Sequence, residues 1–254
     1  MILYLIPLLL AVFIVVYFRL YLFAFPYNRL VILMYHQVEK ESHEDLTVSL
    51  KNLEQQFSYL SSKKYTSYFF SELTLSAKRN IVITFDDGYR NNLEYLPYLL
   101  EKYNLKATIF IPTGFIEKGY NNYSMMTFDE IRSLDKKYFE IALHSHAHEN
   151  VRNVSLDFIE KDLKKNMEIL DAENIRYSKV LAYPYGKYPQ KKHDKLAFFS
   201  ILKELGIDFA VRIGNKVNYY PTQRPYELCR IDIKGKDSLI KFKLKLIFGR
   251  LKLF

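Results

Sequence analysis

Apolar residues along this chain fall into short runs that alternate with segments of helical spacing. Leu30 to Met34, Ile81 to Thr84, Ala107 to Ile111, Glu140 to Leu143, Val180 to Tyr183 and Phe209 to Ile213 have the length and aliphatic content of buried strands. Between them, Ser49 to Ser62 carries Leu50, Leu53, Phe57 and Leu60 on one helical face, and a second helical stretch runs from about Asn92 to Tyr103. Thr127-Phe128-Asp129-Glu130 has the form of a capping box and opens a helix through Ile131 and Leu134. Ser155 caps a long helix with a core face of Leu156, Ile159, Leu163, Met167 and Leu170, and a further helix lies near Asp194 to Leu205. Strand followed by helix, repeated, implies a parallel sheet, either closed as a barrel or open and doubly wound.

The two ends depart from this rhythm. Met1 to Phe18 contains no charged side chain, and eighteen helical residues would span roughly 27 Å, just enough for a bilayer core. There is no basic n-region and no small-residue cleavage site before Arg19, and the apolar run resumes from Leu20 to Phe25, so an uncleaved transmembrane anchor over residues 1–28 is expected rather than a signal peptide. Arg19 and Arg29 flank only the C-terminal side of that span, which by the positive-inside rule keeps the following domain cytoplasmic. At the other end, residues 234–254 interleave Lys241, Lys243, Lys245, Arg250 and Lys252 with Leu239, Ile240, Phe242, Leu244 and Phe254. That cationic amphipathic tail reads either as an interfacial membrane anchor or as a terminal element packed on the domain with its lysines snorkelling outward.

Polar constellations follow three of the strands. Thr84-Phe85-Asp86-Asp87-Gly88 ends the second, His144-Ser145-His146-Ala147-His148 ends the fourth, and Ala182-Tyr183-Pro184-Tyr185-Gly186 ends the fifth, while Met34-Tyr35-His36 closes the first. Chemistry-bearing residues after several different strands favour a barrel, whose C-terminal mouth gathers them, over an open sheet with one switch point. One carboxylate and two imidazoles are a common ligand set for a catalytic divalent metal. His144 and His148, four apart, share a face if that segment coils into a helical turn. His146 reads as a hydrogen-bonded neighbour, and His43 and His193 lie in charged loop sequence and read as solvent-exposed.

Composition narrows the picture further. The 254 residues, 49% hydrophobic, suffice for one sizeable core, and no linker, repeat or low-complexity tract divides residues 29–233. The single Cys229 excludes an intramolecular disulfide and a cysteine-based zinc site. A net charge of +9 would suit nucleic acid, a membrane surface or an acidic glycan, and no nucleic-acid motif accompanies it.

The motifs resemble those of the polysaccharide deacetylases, the NodB-homology domain of carbohydrate esterase family 4. Its T-F-D-D-G stands at Thr84 to Gly88, and its H-[ST]-x-x-H is met by His144, Ser145 and His148. Its R-x-P-Y-G keeps Pro184, Tyr185 and Gly186 but has Ala182 in place of Arg; Tyr35-His36 is similar to an element of the branch acting on surface polysaccharides and poly-N-acetylglucosamine. The resemblance implies an irregular (β/α) barrel of about seven strands. It also implies a divalent ion, zinc by default, on Asp87, His144 and His148, with Asp86 as general base and the backbone N–H of Tyr185 facing the oxyanion. Many members use a histidine in a late L-x-H motif as general acid, where this chain reads Leu228-Cys229-Arg230. His36 is the replacement that the Tyr-His branch suggests, and Arg230 or Arg212 would compensate for the missing third-motif Arg. The expected activity is removal of an N-acyl group, acetyl above all, from an amino sugar of a surface polysaccharide or lipid-linked glycan. A non-catalytic glycan-binding protein on the same fold and an amidohydrolase acting on another amide remain open at this point.

Overall fold

The computed structural model describes residues 2–17, 28–42, 44–74, 77–116, 119–120 and 122–250. Its centre is a closed barrel of seven parallel strands: β1 (Arg29–Tyr35), β5 (Asn80–Phe85), β6 (Ala107–Ile111), β7 (Phe139–Leu143), β8 (Ser178–Ala182), β9 (Phe209–Ile213) and β11 (Leu228–Asp232). They are hydrogen-bonded in that order, and β11 returns to β1, whose long pairing with β5 runs from Leu30↔Asn80 to Tyr35↔Phe85. Short strands accompany them: β2 (Gln37–Glu39) pairs with β3 (Thr47–Ser49), β4 (Thr66–Ser67) lies beside β5, and β10 (Asn218–Tyr219) runs antiparallel to β1. The expected barrel of about seven strands is therefore present. The strand missing from the apolar-run reading is β11, whose Leu-Cys-Arg-Ile-Asp sequence carries two charges.

Helices α2 (Leu50–Ser62), α3 (Arg90–Tyr103), α4 (Phe128–Ser133), α5 (Leu156–Ala172) and α6 (Lys192–Glu204) connect the strands. The caps expected at Ser155 and at Thr127 with Glu130 are present, and Ser49 caps α2 in the same way: Ser49 and Ser155 accept from the backbone at their third following residue, and Thr127 and Glu130 complete a reciprocal capping box. The barrel is buried on both faces, so its strands are apolar throughout rather than alternating. Leu30, Ile32, Val82, Phe110, Ala142, Val180, Val211 and Leu228 fill the interior, while Val31, Leu33, Ile81, Ile83, Ile109 and Leu143 pack against helices. At the base of the barrel the Glu140 carboxylate accepts hydrogen bonds from Phe70 N (3.0 Å), Ser71 Oγ (2.7 Å) and Thr108 Oγ1 (2.8 Å), closing that end with the turn Phe70–Glu72.

Both chain ends differ from one of the expectations placed on them. The N-terminal helix α1 runs from Ile2–Tyr17, 16 residues, which at about 1.5 Å per residue gives roughly 24 Å against a hydrocarbon core of about 30 Å. Among the described residues no helix is long and apolar enough to cross a membrane, so the expected transmembrane helix is not found there; Arg19 and the second apolar run lie outside the described residues. Every side chain from Pro7 to Tyr17 is exposed. In the tail, α7 (Leu239–Phe248) docks on the domain with Phe242, Lys245 and Leu246 buried and Phe242 edge-on to Tyr59 of α2 at 6.5 Å. Leu251 to Phe254 lie outside the described residues.

Candidate active site

The pleat of the barrel strands carries residues into its C-terminal mouth. Because alternate residues of a strand face the same way, the interior row Val82 and Thr84 continues to Asp86, Glu140 and Ala142 to His144, and Leu228 to Arg230. Three chains of period two thus converge on one spot. Asp86, Asp87, His144 and His148 are each less than one-tenth exposed, and Arg230 is fully buried.

Arg230 grips Asp86 through both arms of its guanidinium. Nη1 donates to Oδ1 at 2.5 Å and Nη2 to Oδ2 at 2.7 Å, with a further bond from Nη1 to Thr84 Oγ1 at 3.2 Å and the Phe110 ring beneath at 5.4 Å. A buried bidentate pair of this kind fixes orientation as well as charge. Burial acts to raise the Asp86 pKa, but the Arg230 charge prevails and holds it below the ordinary carboxylate value. The arginine missing from position 182 is thus supplied from another strand, while the Ala182 carbonyl accepts the Nδ1–H of His144 at 2.7 Å. Arg212, the other candidate, lies instead over the Tyr188 ring at 5.8 Å.

With Nδ1 so engaged, His144 turns Nε2 toward Asp87 Oδ1 at 3.4 Å, and His148 Nε2 lies 3.3 Å from the same oxygen. Donors about 2.1 Å from a tetrahedral ion stand roughly 3.4 Å apart, so the spacing suits a metal ion. Asp87 Oδ1 is buried and has no hydrogen-bond partner in the described structure, which fits a carboxylate oxygen able to accept a cation. The three ligand atoms form the one such histidine and carboxylate cluster found among the described residues. Burial pushes the His148 pKa down to about 4, aided by repulsion from His144, which favours the neutral ring that metal ligation requires. Burial also acts to lower the His144 pKa, yet the close approach of Asp87 and the charges of Asp86 and Asp87 raise it. The negative field that favours a proton there equally favours a divalent cation.

The two histidines do not meet through a helical turn, as their spacing suggested. Ser145 (φ 66°) and His148 (φ 56°) adopt left-handed backbone, as do Asp87 (φ 72°) and Tyr185 (φ 57°), so four residues at the mouth are strained. His36 follows β1 with Nε2 3.9 Å from Asp86 Oδ2, and Tyr185 is half exposed with its ring 5.0 Å from that of His148. His146 approaches Thr113 Oγ1 through Nδ1 at 3.0 Å and is not among the ligands; His193 is exposed, and His43 lies outside the described residues.

Two residues of this site were not singled out from the sequence. Asp162 and Asn166 of α5 are buried beside the loop that carries the histidines, and the Asp162 carboxylate accepts from His146 N at 3.1 Å and Ala147 N at 2.7 Å. Their signal is legible: they fall on the same helical stripe as Ile159, Leu163, Met167 and Leu170, where polar residues need a buried partner.

Comparison with known proteins agrees with this geometry. The family model described as polysaccharide deacetylase matches residues 76–210, which include Asp86, Asp87, His144, His148 and Tyr185 but not His36 or Arg230. The poly-beta-1,6-N-acetyl-D-glucosamine N-deacetylase of Staphylococcus aureus is 30% identical over 176 residues, 65% of this chain and 58% of that protein. The putative polysaccharide deacetylase YxkH of Bacillus subtilis is 25% identical over 170 residues, 64% of this chain and 59% of that protein. The chain therefore spans somewhat less than two thirds of these curated relatives. Among solved structures, the Streptococcus pyogenes deacetylase PplD in complex with acetate superposes with a TM-score of 0.74 at 22% identity, covering 86% of this chain and 98% of that one. IcaB from Ammonifex degensii superposes with a TM-score of 0.72 at 18% identity, covering 86% and 96%, and both share the fold. With more than half its length matched by the family model and the motif residues gathered at the mouth of the barrel, the chain belongs to the polysaccharide deacetylase family.

Proposed function

We propose that this protein is a metal-dependent hydrolase that removes an N-acetyl group from an amino sugar of a surface polysaccharide or its lipid-linked precursor, poly-N-acetylglucosamine being the substrate class of the named staphylococcal relative. The observation that carries the reading is the partnerless Asp87 Oδ1 between two imidazole nitrogens, next to a carboxylate locked by a buried arginine. Asp87, His144 and His148 would hold the ion. When bound, it would polarise the amide carbonyl and lower the pKa of water from 15.7 toward about 7.

The protein's own groups do the rest. Asp86, held as an anion by Arg230, takes the proton from the water that adds to the amide carbon. The backbone N–H of Tyr185 is assigned to the oxyanion, where loss of one such donor typically costs about 10²- to 10³-fold. His36, whose Nε2 lies 3.9 Å from Asp86 Oδ2, gives a proton to the departing amine as the carbon–nitrogen bond breaks, leaving acetate and a free amino sugar. An open groove of about 580 Å³ lined by Gln37, Glu39, Arg90, Asn91 and Tyr123, the first of them next to His36 in sequence, would have room for flanking sugar units. The exposed apolar α1 attaches the enzyme to a membrane surface.

Acetate release from N-acetylated glucosamine oligomers, with and without chelator, tests the reading. Asp87→Ala is expected to lose both bound metal and activity, whereas Asp86→Asn keeps near-stoichiometric metal and loses turnover. Equal metal content in native protein and Asp87→Ala, or full activity of Asp86→Asn, is incompatible with these assignments.

A further inference from the structure

We infer that Asp162 is a positioning residue for the metal-binding loop: from a neighbouring helix it sets the geometry of His144 and His148 without touching ion or substrate. The inference rests on the reading of the site as a metal centre and concerns what holds that centre in shape. His148 has no side-chain partner for its second ring nitrogen, since Nδ1 is buried and makes no hydrogen bond in the described structure. Its orientation therefore depends on ring packing against Phe115 at 5.3 Å and Tyr185 at 5.0 Å, and on the backbone of the loop. That backbone is strained at Ser145 and at His148 itself, and strained segments persist only where their surroundings over-determine them.

The surroundings are supplied by α5. Both oxygens of Asp162 accept backbone N–H groups, Oδ2 from His146 at 3.1 Å and Oδ1 from Ala147 at 2.7 Å, midway between the two ligands. One helical turn on, Asn166 Nδ2 donates to Ile111 O at 3.1 Å and to Thr113 Oγ1 at 3.0 Å, and Thr113 Oγ1 meets His146 Nδ1 at 3.0 Å. Gly114 N donates to His146 O at 3.0 Å, and a Cβ at Gly114 would lie 2.5 Å from that oxygen, so the loop after β6 closes the other side. The histidine loop is thus clamped between α5 and the loop after β6, with Asp162 holding the two backbone amides that lie between the two histidines. Outer groups that orient metal ligands are typically worth about 10- to 100-fold in metal affinity.

The test titrates Zn²⁺ alone, by competition with a chromophoric chelator, into native protein, Asp162→Asn and Asp162→Ala, and follows amide exchange at His146 and Ala147. In Asp162→Asn an NH₂ group faces one of the two N–H donors, so the clamp opens with little change of volume, and this variant decides the question if the alanine variant does not fold. Expected are a Zn²⁺ Kd weakened about 10- to 100-fold, faster exchange at the two amides and a retained cooperative unfolding transition. Glu149→Gln removes an exposed negative charge beside the loop without removing a loop bond and is expected to stay within about twofold of native. A Kd within twofold of native for Asp162→Asn overturns the inference, as does an equal weakening by Glu149→Gln, which would make the effect one of charge. A native protein that binds no Zn²⁺ fails the metal reading instead, and the exchange rates then decide the clamp by themselves.

Discussion

At the scale of single residues the site works by giving similar groups different surroundings. Asp86 and Asp87 are adjacent in sequence, yet one is saturated by a guanidinium and the other has an oxygen with no partner but two imidazole nitrogens nearby. In the proposed mechanism that division separates a proton acceptor from a metal ligand. His36 lies 3.9 Å from Asp86 and is largely screened from solvent, and the role proposed for it is proton donation to the leaving amine. His36→Ala is expected to retain metal and to lower kcat on the acetamido sugar by about 10²-fold or more. On an activated ester, whose leaving group needs no proton, the loss is expected to be much smaller. Parallel assays on the two substrates check this: equal losses would indicate positioning rather than proton donation.

At the scale of elements, α7 shows how the cationic tail joins the domain. Asp237, almost wholly buried just before the helix, accepts from Lys234 N at 3.0 Å and pairs with Lys241 at 2.7 Å and with Lys245, whose Nζ also donates to Asp232 O at 2.5 Å on β11. The helix is thereby tied to the barrel strand that also carries Arg230. Burial acts to raise the Asp237 pKa, but Lys234, Lys241 and Lys245 prevail and lower it. A depressed folded pKa means stabilisation that is full above the unfolded value of about 3.9 and fades as pH falls through the folded one. Asp237→Asn, which leaves Lys245 buried beside a neutral group, is expected to cost up to about 3 kcal/mol, roughly 6 to 12 °C in Tm for a chain of this size. Thermal melts from pH 7 to pH 3 check the sign: the gap between native and variant is expected to close on acidification, and a constant gap would remove the ion pair from the explanation.

At the scale of the whole molecule, a barrel with a polar mouth is joined to a helix whose described side chains from Pro7 to Tyr17 are all exposed and apolar. Such a surface has no counterpart on the domain to cover it among the described residues, and a lipid surface would cover it. The basic residues of α7 and its flanks would add attraction to anionic lipid worth about 1 kcal/mol per charge near the surface, screened by salt. The full chain is therefore expected to float with anionic liposomes at low and high salt, and a chain lacking residues 1–28 only weakly and at low salt. Flotation of the shortened chain that is indifferent to salt would refute the electrostatic part, and failure of the full chain to float would refute attachment by α1.

How much of this was legible depends on whether the signal is local. Six of the seven barrel strands, the caps at Thr127 and Ser155 and the motif residues Asp86, Asp87, His144 and His148 could be read from the sequence, because aliphatic runs, capping boxes and short motifs are written in neighbouring residues. β11 was not, since a strand that buries an arginine inside a barrel does not look apolar. Nor did the sequence choose between Arg230 and Arg212 as the partner of Asp86, a pairing across 144 positions that exists only once the barrel closes. The secondary structure of the tail was equally undecided, because its alternation near residues 240 to 246 fits a strand as well as a helix until α2 presents Tyr59 to Phe242. Asp162 stood in plain view on the core stripe of α5, but its purpose needs the loop that folds against it. The sequence determined which groups are available and which elements carry them; the tertiary structure decided which carboxylate meets the arginine and which meets the imidazoles, because those distances are set by strand register and barrel closure rather than by spacing along the chain.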